Sequence, residues 1–219
     1  MSIIDLSMSI QTHWRWRIET SLALDHSKGD PFQATVLSVP MHAFTHVDTP
    51  LHIEPGRITI DKVPLDRLCG SAAVLDLTGK SANEPITAQD LKKSGAHIGE
   101  GDMIILKTAW DLKRDWLTKE YWLEAPYVEE EAARFLAQLP IKAVGFDFPQ
   151  DHTIREIPRR HPAAAEMPTH HLLLRKGVFL LEYLCNVHQI LSDRVTIYAL
   201  PLKVKNSEGA PARVIAVTN

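Results

Sequence analysis

His42-Ala43-Phe44-Thr45-His46-Val47-Asp48-Thr49-Pro50-Leu51-His52 sets three histidines and an aspartate at even positions of an eleven-residue stretch. On an extended backbone, even positions share one face. On a helix, at about 100° per residue, they would scatter around the axis. Imidazole nitrogens and a carboxylate on one face read as a metal site with a base beside it. Distance refines this reading. Residues four apart on a straight strand are separated by roughly 13 Å, whereas a zinc ion wants each donor within about 2.0–2.2 Å. His42 and His46 therefore need a bend at Ala43-Phe44-Thr45 before they can share an ion. His46 and Asp48 converge without one, and His52 lies beyond Pro50, which ends regular pairing and lets the chain turn.

Around this stretch the chain reads as an ordinary globular protein. It has 219 residues, 45% hydrophobic and 23% charged, with no linker or repeat, so a single domain over 1–219 is expected. The net charge of −3 and scattered basic residues give no nucleic-acid footprint. Arg155 with Arg159-Arg160 reads as a solvated loop. No apolar run is long enough for a membrane span. The opening Met1-Ser2-Ile3-Ile4-Asp5 has no basic region followed by an apolar one. Cys69 and Cys185 offer neither metal spacing nor a disulfide framework. Together these give the expectation of a cytoplasmic enzyme with free thiols.

Strand patterns fall at Ile3–Ser7, Thr35–Val39, Ala72–Leu77, Met103–Lys107, Ala143–Phe146, Val178–Leu181, Val195–Leu200 and Arg213–Val217. Helices are expected over Thr87–Ser94, with Thr87 as N-cap, over Val128–Gln138, and over Thr169–Lys176, closed by Gly177. Asn206-Ser207-Glu208-Gly209 reads as a turn. The elements do not alternate strictly, which indicates an α/β or α+β fold with a mixed sheet. No glycine-rich phosphate loop occurs, and Ser7 and Ser38 lack the setting of a hydrolase nucleophile.

More ligands must come from downstream. His170 stands at a helix start, and Glu182 follows four apolar residues. A carboxylate there is either buried beside a cation or turned to water at a strand end.

The stretch resembles the H-x-G-T-H-x-D-x-P-x-H signature of the cyclase family of metal-dependent hydrolases, which includes bacterial kynurenine formamidases and isatin hydrolases. A second landmark, a histidine with a glutamate twelve residues on, is matched by His170 through Gly177 to Glu182. Shorter echoes run in family order: Asp5-Leu6-Ser7, Gly101-Asp102, Thr108-Ala109-Trp110, Val144-Gly145-Phe146-Asp147 and Gly209-Ala210-Pro211-Ala212-Arg213. The resemblance implies a swivelling β/β/α fold and a homodimer or homotetramer. It implies one or two divalent ions, zinc or manganese: the first on His42, His46 and Asp48, the second on Asp48, His170 and Glu182. It implies His52 as the acid/base residue, and Glu182 is a second candidate for proton transfer.

The activity implied is hydrolysis of a small amide, formamide or lactam, with an aryl formamide as one case. Hydrolysis of lactones or esters, a cyclase or dehydratase reaction, and a silent metal-binding protein are the alternatives. Trp14 and Trp16, spaced to share a strand face, are candidate walls for an aromatic substrate or caps on the core. Phe44 stands where the family has glycine, at the required bend. Its ring is expected near the metal, narrowing the pocket, crowding the second ion, or plugging a silent site. The segment Asp147-Phe148-Pro149-Gln150-Asp151 lacks the serine that commonly precedes the later aspartate, which leaves the role of Asp151 open.

Overall fold

The computed structural model describes residues 1–218. Among these residues twelve strands succeed one another. They are β1 (Ser2–Asp5), β2 (Glu19–Leu24), β3 (Ala34–Ser38), β4 (His46–Asp48), β5 (Cys69–Asp76) and β6 (Pro85–Ile86). After these come β7 (Met103–Lys107), β8 (Tyr127–Val128), β9 (Ala143–Phe146), β10 (Phe179–Glu182), β11 (Arg194–Pro201) and β12 (Gly209–Thr218). Short helices α1 (Ala88–Ser94), α2 (Trp110–Lys113), α3 (Lys119–Leu123) and α4 (Glu130–Leu136) lie between them.

The apolar runs make the centre. β5, β7, β9 and β10 pair in parallel, and their lack of alternation reflects burial on both faces. Antiparallel β11, β12 and β1 continue one edge. At the other edge β4 pairs with β10, and it also pairs with β12. That second pairing closes the eight-stranded sheet on itself and leaves β1 outside the ring. Successive side chains then go to opposite faces. Ala72, Val74, Met103, Ile105, Leu181 and Ile197 fill the ring interior. Ala73, Leu75, Ile104, Leu106, Val144 and Leu180 face outward, under Leu91 of α1 and Ala132, Ala133 and Leu136 of α4. The mixed α and β architecture is the one expected.

Local signals account for most boundaries. Thr87 Oγ1 accepts from Asp90 N at 3.1 Å and Thr87 N donates to Asp90 Oδ2 at 2.7 Å, so α1 starts on a capping box. Two expectations are corrected. Glu182 is the last residue of β10 rather than one beyond it, because β4 supplies a partner for its backbone. Trp14 and Trp16 do not share a strand face: the chain bends at 14–16 and pairs only from Glu19 onward. The strand expected over Thr35–Val39 is β3, whereas its partner β2, with no buried face, was not expected. The two form a two-stranded arm that leaves Leu22, Phe32, Val36 and Leu37 exposed. Among the described residues no helix is long and apolar enough to cross a membrane.

The bend required before His46 is present. Phe44 takes φ +57°, in the left-handed region. For a bulky residue that conformation costs about 1–2 kcal/mol. Burial offsets the cost, since the ring is fully enclosed among Trp16, His13 and Trp116, with centroids at 4.8, 5.8 and 6.0 Å. Phe44→Ala should destabilise by about 3–5 kcal/mol in urea denaturation. Phe44→Gly should be about 1 kcal/mol less damaging, the reverse of the usual order of glycine and alanine, because it relieves the backbone. A larger loss for glycine would show that the bend carries no strain.

Candidate metal centre

β4 is three residues long and pairs on both sides, so its alternation is fixed. Val47 points into the ring interior, and His46 and Asp48 point the other way. In the register of β4 with β10, Glu182 stands directly opposite His46. Paired residues project to the same side, so two buried acids and a buried histidine meet at one end of the sheet. His170 comes from a wide π-type turn, His170–Leu174, closed by Gly177 at φ +76°. Such turns recur at functional sites.

Hydrogen bonds decide which nitrogen of each ring is free. His46 Nδ1 lies 2.7 Å from Phe44 O; a carbonyl only accepts, so Nδ1 carries the proton. Nε2 then presents a lone pair, 3.2 Å from Asp48 Oδ1 and 3.6 Å from Glu182 Oε2. Acceptors facing acceptors cannot bond, and His46 Nε2 and Asp48 Oδ2 are both buried without a partner. His170 Nδ1 donates to Asp151 Oδ2 at 2.6 Å, and Asp151 is held by Thr169 N and Oγ1. The opposite nitrogen of His170 lies 2.9 Å from Glu182 Oε1 and 3.6 Å from Asp48 Oδ2. A histidine held by a carbonyl or carboxylate on one nitrogen and aimed at acids with the other is the arrangement of a metal ligand. Gln150 Nε2 donates to Glu182 Oε1 from the far side.

His42 and His52 complete the cluster. His42 Nδ1 donates to Asp48 Oδ1 at 2.7 Å and Nε2 to Glu208 Oε1 at 3.0 Å. Burial works against its charge, but Asp48 and Glu208 outweigh burial and lift the imidazolium to about 9. His170 is raised in the same way by Glu182 and Asp151 against its burial. His52 goes down, to about 4. Crowding by protein is the main cause, and the charges of His42 and His170 add to it. Its ring stacks on His42 at 4.0 Å from the 3₁₀ turn Pro50–His52, at the solvent-exposed mouth of the site. Asp48 is buried, yet the charge of His42 and its hydrogen bond hold it well below the ordinary carboxylate range.

Donor atoms within 4.8 Å of one another fall into two groups that share Asp48: His46, Asp48 and Glu182, and His42, Asp48 and His52. The resemblance had set His46 with His42 and left His52 outside the ligands, so the grouping differs. The donor set still fits a divalent ion, since His46 Nε2 and Asp48 Oδ2 are buried without partners in a group of close donors and the ligands are imidazole and carboxylate.

A cavity of about 260 Å³ opens over this cluster. Arg15, Trp16, Ile154, Ile157 and Met167 border it together with His42, His52, His170 and Glu182. Trp16 is therefore at the site, whereas Trp14 is turned to solvent, outside the lining. Phe44 is not in the lining either. Its ring is packed in the core behind Trp16, and its carbonyl, through His46, is what reaches the centre. The ring neither narrows the cavity nor plugs it, because the left-handed backbone turns it inward. Sequence reasoning missed Arg15, Gln150 and Glu208, each brought in by a long-range pairing that leaves no local pattern. Asp151 had been singled out, and its contact with His170 was not expected.

The Cyclase family model ("Putative cyclase") matches residues 4–150, and the chain belongs to that family. Its first signature lies inside the match; Asp151, His170 and Glu182 lie past its end. The kynurenine formamidase of Salinibacter ruber is 26% identical, over 98% of this chain and 97% of its own length. A solved structure described as a potential metal-dependent hydrolase with cyclase activity is 28% identical, with a TM-score of 0.73 over 98% of this chain and 96% of that one. An isatin hydrolase bound to the product analogue thioisatinate has a TM-score of 0.81 at 21% identity, over 99% and 92% of the two chains. At that identity the likeness shows the fold.

A cationic His42 or His170 must lose a proton before a ring nitrogen can bind an ion. Zinc or manganese binding at pH 7 should therefore release protons, read by calorimetry in two buffers of different ionisation enthalpy. Without an ion, the raised His42 contributes stability that is complete below about pH 6.5 and lost as pH rises through about 9. Metal binding with no proton release would show that neither ring becomes a ligand.

Proposed function

We propose that the protein is a metal-dependent hydrolase of small amides, formamides or lactams. The observation that carries this is the grouping of His46 with the carboxylates of Asp48 and Glu182, two acids that line a cavity bordered also by His52. The relatives add support, one being a kynurenine formamidase and another an isatin hydrolase. We assign the ion-holding role to His42, His46, Asp48, His170 and Glu182. Zinc or manganese, one or two per chain, suits their nitrogen and oxygen donors. When bound, such an ion supplies Lewis-acid polarisation and lowers the pKa of water.

The chain's own residues do the rest. His52 borders the cavity beside the ion-holding residues, where it can take a proton from water and return it to the leaving nitrogen. Asp151 and the Phe44 carbonyl keep His170 and His46 in the tautomers that face the acids. Trp16 and Ile154 give a flat substrate an apolar wall. The reason for a silent site has gone, since the ring of Phe44 lies in the core.

Purified protein should hydrolyse an aryl formamide, lose activity to a chelator, and regain it with zinc or manganese. His52→Ala should cut turnover by about 10²–10⁴-fold while the metal content holds. Loss of metal from His52→Ala would make His52 a ligand, in line with its grouping with His42 and Asp48. Turnover of lactones but not amides would overturn the proposed substrate class.

We further propose a homo-oligomer, dimer or tetramer, with the β2–β3 arm at a contact between copies. Leu22, Val36 and Leu37 expose an apolar ribbon that one chain leaves uncovered. Light scattering should show an oligomer, and Leu37→Glu should shift it towards monomer. A monomeric parent protein would refute this. A cytoplasmic setting accords with two unpaired cysteines, Cys69 and Cys185.

A further inference from the structure

Among the described residues, Arg15 is the only arginine or lysine that lines the cavity. Its guanidinium is fixed from two sides. Nη2 donates to Ile154 O at 2.8 Å, and Cζ lies 4.8 Å over the ring of Trp122. Nη1 is buried and has no acceptor. No carboxylate of the described residues pairs with it. Glu182 borders the same cavity, but its Oε1 is engaged by His170 and Gln150.

A buried cation with an unused N–H is costly unless something completes it. Trp122 and Ile154 keep the group in place, so it is preorganised rather than mobile. Arg15 is partly exposed and lines the cavity, so an acceptor for its guanidinium can come from whatever fills it. A guanidinium binds carboxylate best, since charge and planar geometry both match. Trp16, Ile154, Ile157 and Met167 suit a flat ring beside that carboxylate.

We propose that Arg15 is the specificity-determining residue of this site, and that its substrates are small aryl or cyclic amides bearing a carboxylate that the Arg15 guanidinium binds. This rests on the amide-hydrolase reading above. In the reaction water adds its oxygen to the acyl carbon, the C–N bond breaks, and the nitrogen leaves with a proton. Arg15 takes no part in those steps.

The test compares 2-formamidobenzoate with formanilide, which lacks the carboxylate, on metal-loaded wild type, Arg15→Gln and Arg15→Lys. Wild type should favour the carboxylated substrate in kcat/KM by at least about tenfold. Arg15→Gln should lose about 30–100-fold on 2-formamidobenzoate, mostly in KM, and under about threefold on formanilide. Arg15→Lys should recover part of the loss and carries the test if Arg15→Gln does not fold. Equal losses on both substrates would make Arg15 a structural residue. A carboxylate preference that survives in Arg15→Gln would assign recognition to another group. Quenching of tryptophan fluorescence by benzoate and by benzamide gives a reading independent of turnover. Tighter benzoate binding in wild type, lost in Arg15→Gln, upholds Arg15 even if neither amide is hydrolysed, in which case the hydrolase reading alone fails. Equal binding of benzoate and benzamide overturns the role of Arg15.

Discussion

The double pairing of β4 is the constraint on which both the barrel and the site depend. Three residues, His46, Val47 and Asp48, bridge β10 and β12. Closing the sheet there puts Val47 into the interior and leaves His46 and Asp48 beside Glu182. The fit is close enough to dictate composition on the neighbouring strand. A Cβ on Gly209 would lie 2.8 Å from Val47 O and 3.1 Å from Asp48 Oδ1. Glycine there is a consequence of backbone approach, not of a turn. Loosening the closure would therefore move two acids and a histidine together.

Backbone strain is concentrated on either side of that bridge. Phe44 precedes it at φ +57°, and Tyr183 follows Glu182 at φ +55°. Thr45 ties the two strained residues, since its hydroxyl donates to Tyr183 O at 2.6 Å and accepts from Met8 N at 2.8 Å. Both rings enter one aromatic cluster, with Tyr183 4.9 Å from Trp122 and Phe44 4.8 Å from Trp16. Unfavourable angles persist where surrounding packing over-determines them. Here the packing is aromatic burial, and what it fixes is the aim of His46 and Glu182. Phe44 thus serves the site through its carbonyl and its anchoring, with its side chain facing away from the chemistry.

The parity of His42, His46, Asp48 and His52 was informative in the sequence because the strand there has period two, and the need for a bend followed from length alone. Parity held only for His46 and Asp48; His42 and His52 reach the centre through a bend and a 3₁₀ turn. The central strands were legible because burial on both faces leaves unbroken apolar runs. In the arm, β3 was legible from Thr35 to Val39, but β2 was not, since a strand without a core face carries no burial pattern. Trp14 and Trp16 were misread because two-residue spacing also arises where a chain bends. Asp151, Gln150, Glu208 and Arg15 act across the fold, and nothing adjacent to them in sequence marks their partners.

Charge explains why these remote residues are needed. Asp48, Asp151 and Glu182 are all buried within one cluster. Several kcal/mol of desolvation for each ion must be met by cations or donors. His42 and His170 meet part of it by holding protons, which is why both are raised. His52, crowded by protein and by those two charges, is driven the other way and stays neutral. A divalent ion on the same acids would replace the protons that His42 and His170 carry. The cluster is thus balanced with either occupant, and a sheet end built of acids can fold before it binds. Arg15 stands at the edge of this balance: Glu182 acts on its charge from across the cavity, while its close contacts are Trp122 and a carbonyl. A cation that no carboxylate touches directly is available to a carboxylate that arrives from outside.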